Sequence, residues 1–389
     1  MNHQIMIIMN NTTVADIISA MEAIAPSGLA EKWDNSGLQV GDTTWPVKKI
    51  GISLDPLPEV VKAAFAKKID ILITHHPLIF SPLKSINLST PIGGVIEMAL
   101  HHKIAIYSAH TNLDSVSGGL NDMLACKIGL ENIKVLGESL EPQFCKLVIY
   151  VPCTHEDFVL EALLDQKLEA AAGKIGNYTC CSFRNTGKGT FKPGSLAHPF
   201  HGASDKLSHV NEVRIETIVQ KKDLEKVITH VGKSHPYETM AYDVYPLTSP
   251  PDEIIPIQGI GRVGELADKT SLSLFAADLK KKLNINSIKL AGKPDLPIKK
   301  VALCTGSGAG LMDSFFKSGA EVYISGDFKY HDARTAEAAN LGLIDIGHFN
   351  SEHIMVKELA CKLRKFLFNT GSHVKVEEMV LEKDPFYFV

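Results

Sequence analysis

Short blocks of apolar residues alternate with amphipathic stretches through the first 138 residues of the chain. The spacing predicts a helix over 14–25 capped by Thr12 or Thr13, a strand over 49–54, and a helix over 58–67 with proline in its first turn. The run IDILIT, 69–74, is apolar without alternation, as in a parallel strand buried on both faces. A helix over 94–101, a strand over 104–108 and a helix over 119–128 follow, and KWDNSGLQVGD, 32–42, reads as a loop. From about residue 257 the pattern returns, with strands over 300–304, 321–325 and 343–346 and helices over 311–318, 331–340 and 355–368. The last of these carries Val356, Leu359, Leu363 and Phe366 on one face. Strands alternating with helices imply βαβ units and a mostly parallel sheet.

The middle of the chain breaks this pattern. A strand over 146–151 and a helix over 155–167 lead into GNYTCCSFRNTGKGTF, 176–191, which reads as strand, glycine-rich turn and strand. A strand over 211–219, a helix over 223–232 and a strand over 239–245 close the segment. The order is close to βαββαβ with an extra strand or hairpin at its centre. The expected fold class is therefore α/β. Two α/β halves, 1–138 and 257–389, form one unit, and a ferredoxin-like α+β insert over 139–256 interrupts it.

Composition narrows the class. At 389 residues the chain needs more than one core, and 45% hydrophobic with 22% charged residues argues for a folded globular protein rather than a disordered one. A net charge of -4 gives no broad electropositive surface, so nucleic acid is not the expected partner. The seven cysteines are scattered without a C-x-x-C pair, which supports neither a disulfide framework nor a cysteine zinc site and makes a reducing cytoplasm the expected compartment. MNHQIMIIMNNT lacks a basic leader, and no apolar stretch approaches the ~20 residues of a membrane span.

The chemistry gathers at the ends of the expected strands, where open α/β sheets bind ligands. His75 and His76 end one strand, and adjacent residues on an extended chain point to opposite sides, so the pair suits two ions better than one. SAHTNLD, 108–114, follows another strand and adds His110 and Asp114; alone it would pass for a loop with an Asx-turn. GHFNSE, 347–352, follows a third, with His348 and Glu352 four apart and Asn350 or Ser351 as the expected helix cap. Three strand ends that each deliver imidazole, carboxylate or both predict a divalent-metal site, and this donor mix suits zinc, iron, manganese or nickel better than calcium. SGDFKYHDA, 325–333, offers Asp327, Lys329 and His331 as supporting groups or proton donors, or merely a capped helix entry. Asp34 and Asn35 could approach the same cleft. TGSGAG, 305–310, could cradle a phosphate through its N–H groups, but it lacks a Walker lysine and reads more simply as a tight turn. In the middle segment, SHPYE, 234–238, and CSFRNTGKGTFKPG, 181–194, stand out without an assigned role; Cys180 and Cys181 read as buried strand cysteines.

THHP, S-x-HTNLD, GD-x-KYHDA and GH-x-x-SE, in that order and preceded by WDNSGLQVGD, resemble the NIF-three-like family, also called GTP cyclohydrolase 1 type 2 homologues. The resemblance covers both outer segments, and the middle resembles the insert of the longer bacterial members, which is similar to trimeric PII and CutA-like domains. It implies a dinuclear metal centre held by His75, His76, Asp114, His348 and Glu352, with two divalent ions per subunit (zinc, iron or manganese). It also implies a homohexameric toroid whose metal sites face an inner cavity. The family name implies hydrolytic opening of the guanine imidazole ring of GTP, with formate released and His331 or His110 protonating the leaving nitrogen. A non-catalytic metal-binding or regulatory scaffold, and a metal-dependent phosphoesterase, are the alternatives, since fold and ligands do not fix a substrate.

Overall fold

The computed structural model describes residues 12–137, 144–165, 168, 172–176, 178–247 and 258–387. The first eleven residues, both junctions of the middle segment and the end of the helix expected over 155–167 lie outside them. The chain divides into two compact units, one of Met1–Leu140 with Ile257–Val389 and one of Glu141–Pro256.

The first unit contains a five-stranded and a six-stranded sheet. In the five-stranded sheet, Ile71–Thr74 lies parallel between Lys49–Ser53 and Ala105–Ser108. All four of its residues are buried, which accounts for the unbroken apolar run. Ile71 and Ile73 join the core containing Ile50, Ile52 and Leu363, whereas Leu72 points into a second core with Val60, Val61 and Val95. Gly37–Val40, inside the stretch expected to be a loop, adds an antiparallel edge strand beside Ala105–Ser108. In the six-stranded sheet, Pro297–Ser307, Val322–Gly326 and Gly342–Asp345 run parallel, while Arg262–Ser271 and Lys289–Ala291 pair antiparallel to them.

The two halves are not separate layers in sequence order, because each lends a strand to the other's sheet. Lys375–Glu378 pairs with Lys49–Ser53, and Glu131–Val135 pairs with Arg262–Ser271. The helix Ile354–Asn369 buries Met355, Val356, Leu359 and Leu363 in the core of the five-stranded sheet. Periodicity shows that a strand exists but not which sheet it joins, so this exchange is invisible in the pattern. Arg262, 2% exposed, fastens the crossing. Its Nε and Nη2 donate to the two carboxylate oxygens of Asp122 at 2.7 and 2.9 Å, and its Nη1 and Nη2 donate to the carbonyls of Gly259 and Val116.

The middle unit has a four-stranded antiparallel sheet in the order Ser182–Phe191, Ser208–Gln220, Phe144–Pro152, Tyr242–Pro246. With the helices Glu156–Leu163 and Leu224–Gly232, the element order is βαββαβ. The expected glycine-rich turn is absent. GKGTF continues one ten-residue strand, because the thirteen-residue strand beside it carries the pairing straight through, Gly187 opposite Glu212 and Gly189 opposite Val210. Cys180 and Cys181 precede that strand, and Cys180 is exposed rather than buried. Among the described residues no helix is long and apolar enough to cross a membrane.

Removing one partner of a buried ion pair leaves the other charge stranded. Asp122→Ala is therefore expected to cost about 3 kcal/mol of unfolding free energy, read as a lower urea midpoint with an unchanged slope. An unchanged midpoint would show that Arg262 does not hold the two halves together.

Candidate metal centre

The parallel strand Ile71–Thr74 ends at His75 and His76; the strand Ala105–Ser108 leads to His110 and the short helix Thr111–Ser115, which carries Asp114. From the other sheet, Gly342–Asp345 leads to the five-residue helix His348–Glu352. Gly347, not Asn350 or Ser351, precedes this helix, so His348 opens it and Glu352 follows one turn later on the same face. These strand ends converge on the carboxylate of Glu352, which is 3% exposed.

His75 Nε2 lies 3.6 Å from Glu352 Oε1 and 3.8 Å from Asp114 Oδ1. His76 Nε2 and His348 Nε2 lie 3.0 and 3.1 Å from the other oxygen, Oε2, and 3.4 Å from each other. Adjacent histidines thus reach opposite oxygens of one carboxylate. Four donors at about 2.0–2.1 Å around a tetrahedral zinc ion sit roughly 3.3 Å apart, and the separations here bracket that spacing. His75 Nε2 and Glu352 Oε2 are buried, and no hydrogen bond closes on either. Buried polar atoms are normally satisfied, so two orphans pointing into a nest of nitrogen and oxygen donors fit a cation-binding site.

The ring tautomers agree. His76 Nδ1 is 2.7 Å from Asp55 Oδ1, His348 Nδ1 2.7 Å from Asp327 Oδ2, His110 Nδ1 2.8 Å from Asp34 Oδ1, and His75 Nδ1 2.9 Å from the carbonyl of Ala109. Carboxylates and carbonyls only accept, so each Nδ1 carries the hydrogen and each Nε2 is left for a ligand, as in carboxylate–histidine–metal triads.

His110 stands in the cluster itself, its ring 5.1 Å from that of His75 and 5.7 Å from that of His76. Its nitrogen converges with theirs closely enough to share an ion, so the sequence reading of it as a proton donor alone is too narrow. His331 is a correction. It is exposed in the first turn of the helix Tyr330–Ala338, its ring lies against Tyr330, and it joins neither group of converging donors among the described residues. From that segment Asp327, four residues earlier, reaches the site. TGSGAG does not cradle phosphate: the N–H groups of Thr305, Gly306 and Gly308 donate to Asn121, Ser351 and Ser325. Its contribution is room. Gly306 has φ +64, and a Cβ there would fall 2.2 Å from Glu352 Oε1. Asp55, which holds His76, escaped the sequence reading because a lone aspartate before a proline carries no motif. Asn35 donates to the carbonyl of Ile79 rather than entering the cluster.

Without a metal, protons take its place. Burial opposes charging His75, yet Asp114 and Glu352 raise its pKa. Burial likewise opposes His76, but Asp55 and Glu352 lift it to about 10. Glu352 chiefly raises His348, to about 9. Burial pushes Glu352 itself upward, and the surrounding histidines overcome this and hold it well below the usual range. Burial raises Asp114, with His75 pulling the other way.

The sequence profile of Duf34/NIF3 (NGG1p interacting factor 3) matches residues 12–385. The chain belongs to the Duf34/NIF3 family. Curated relatives named "GTP cyclohydrolase 1 type 2 homolog" include one from Bacillus subtilis, 39% identical over 373 residues, and one from Halalkalibacterium halodurans, 38% identical over 373; each alignment covers 96% of this chain and 98% of the relative. Among solved structures, a Bacillus cereus protein related to NIF3 superposes with a TM-score of 0.72 at 37% identity, covering 97% of this chain and all of that one. A Staphylococcus aureus protein superposes with a TM-score of 0.79 at 30% identity over 98% of this chain and 100% of its own.

Two outcomes follow for this NIF3 protein. A metal must displace the protons on His76 and His348, whose pKa values lie near 10 and 9, so zinc uptake near neutral pH should release protons and weaken as pH falls. Calorimetry in buffers of different ionisation enthalpy reads the proton count; uptake without release would contradict the site. Gly306→Ala should lower bound zinc measured by equilibrium dialysis while the far-UV spectrum stays unchanged, and full zinc occupancy would show that Glu352 does not need that space.

Proposed function

We propose that this protein is a metal-dependent hydrolase whose centre would hold two divalent ions through His75, His76, Asp114, His348 and Glu352. The observation that carries the reading is the set of three imidazoles, His75, His76 and His348, each held at Nδ1 with Nε2 turned to the Glu352 carboxylate. When bound, such ions lower the pKa of water toward neutrality and polarise the bond to be cleaved. Nitrogen and oxygen donors without thiolate suit zinc, iron or manganese.

The chain's own residues then bind and orient. Trp33 and Phe80 are exposed with ring centres 5.8 Å apart, and both lie beside His110, at 6.0 and 6.5 Å. Inclined to each other by 47°, they offer two separate aromatic faces against which a planar heterocycle could lie. His110, with Asp34 holding its Nδ1–H, can take up a proton at Nε2 and pass it on to a leaving nitrogen. Burial pushes Asp34 up, but hydrogen bonds from His110, Thr111 and Ser36 outweigh it and hold the carboxyl well below its usual range. It therefore stays ionised and keeps the imidazole oriented. In the reading suggested by the names of the relatives, the heterocycle is the guanine of GTP, and hydrolysis opens its imidazole ring and releases formate.

One observation favours a second reading of the substrate. A cavity of about 460 Å³ is lined by His76 and His348 with Asp55, Asp327, Asp345 and Asp384, and its one lysine, Lys289, is 3.3 Å from Asp345. With Asp55 and Asp327 paired to His76 and His348 and Lys289 paired to Asp345, the wall away from the metal ligands offers no uncommitted lysine or arginine to a triphosphate, which favours a neutral guanine nucleoside or base as the substrate. As further parts of the proposal, the βαββαβ middle unit is read as ferredoxin-like, the subunits assemble as a homohexameric toroid, and the compartment is the cytoplasm.

Protein shown by elemental analysis to carry two ions per chain should release formate from GTP or guanosine, and Glu352→Gln should reduce the rate by at least about a hundredfold. Formate from guanosine alone selects the second reading. No formate from either, with both ions bound, removes the cyclohydrolase reading.

A further inference from the structure

Three features of the middle unit have no part in the metal centre: the string GTFKPG (189–194), Glu212 on the neighbouring strand, and HPYE (235–238). They meet at a cavity of about 300 Å³ walled by Phe191, Phe200 and Tyr237, with the carboxylates of Glu212 and Glu238. The ring of Tyr237 stands 6.2 Å from Phe191 and 6.4 Å from Phe200, inclined by 53° and 49°, so the three rings are splayed around the space rather than stacked.

Glu212 is set into this wall by its neighbours. Its Oε1 accepts the Tyr237 hydroxyl at 2.7 Å, and a Cβ on residue 189 would fall 1.9 Å from its Oε2, so the bare Gly189 leaves the place where the carboxylate lies. No lysine or arginine pairs with Glu212 among the described residues. His235, whose ring lies 5.1 Å from that of Tyr237, donates from Nε2 to the carbonyl of Tyr150 and accepts the Tyr237 N–H at Nδ1. Both its nitrogens are committed in the neutral form, and it supplies no positive charge. At the rim, Glu238 accepts the N–H of His198.

The chemistry of the wall selects its ligand. An anion would meet two carboxylates. A neutral apolar molecule would desolvate Glu212 without replacing its water. A metal ion would find aromatic carbon where it needs further donors. An alkylated ammonium ion meets all the requirements, since its charge faces the carboxylate and its methyl groups lie on ring faces whose quadrupole attracts cations.

We propose that this aromatic cage binds a small organic ammonium ion, with Glu212 as counter-charge. The probe is choline, with 3,3-dimethylbutan-1-ol as its uncharged isostere, titrated into the full-length metal-loaded protein and followed by proton NMR. Choline should bind saturably, its N-methyl resonance should shift upfield through the ring currents, and it should bind at least about tenfold tighter than the isostere. Glu212→Gln, which can still accept from Tyr237, should lose about that factor with zinc content unchanged. Should that variant fold poorly, Phe200→Ala at the 45%-exposed wall should weaken choline and reduce the upfield shift. Equal binding of choline and its isostere, absence of saturable choline binding, or wild-type affinity in the folded variants would overturn the proposal.

Discussion

The Glu352 carboxylate is almost fully buried between imidazole nitrogens that approach from two sheets. A carboxylate so placed is strongly destabilising unless positive charge compensates it. Every other feature of the centre serves that requirement. Gly306 leaves room for one oxygen, and Asp55, Asp327, Asp34 and the Ala109 carbonyl fix the rings around the cluster. With protons alone the balance is kept by raising the histidines; with divalent ions the same nitrogens become ligands. The geometry is thus organised around cations whichever kind is present.

That requirement constrains the fold. His75, His76 and Asp114 follow the strands of one sheet and His348 and Glu352 a strand of the other, so a small shift between the sheets would separate the donors. The exchange of Glu131–Val135 and Lys375–Glu378 between the sheets, and the buried Arg262 across Asp122 and the 116 and 259 carbonyls, oppose such a shift. The buried Arg262 in this sense serves the same requirement as the groups that surround Glu352.

The sequence made the donors legible because each lies just past an apolar strand, where a polar side chain has little to do for the core. His75-His76 showed its two directions, and the four-residue spacing of His348 and Glu352 its common face. Asp55 and Gly306 were not legible as parts of the centre. A supporting carboxylate and a space-making glycine acquire meaning only from what lies opposite them, across 21 residues for Asp55 and His76. His331 misled for the converse reason: it lies in a motif beside Asp327, but the helix starting at Tyr330 turns it outward. GKGTF read as a turn because glycine frees the backbone, whereas the long partner strand held it extended. The strand exchange could not be read at all, since pairing partners leave no periodic trace.

The most direct test is anomalous diffraction from crystals of this protein loaded with zinc or manganese. The account predicts two peaks flanking the Glu352 carboxylate, one shared with His75 and Asp114 and the other with His76 and His348. A single peak away from Glu352, or none in crystals grown with excess ion, would contradict it.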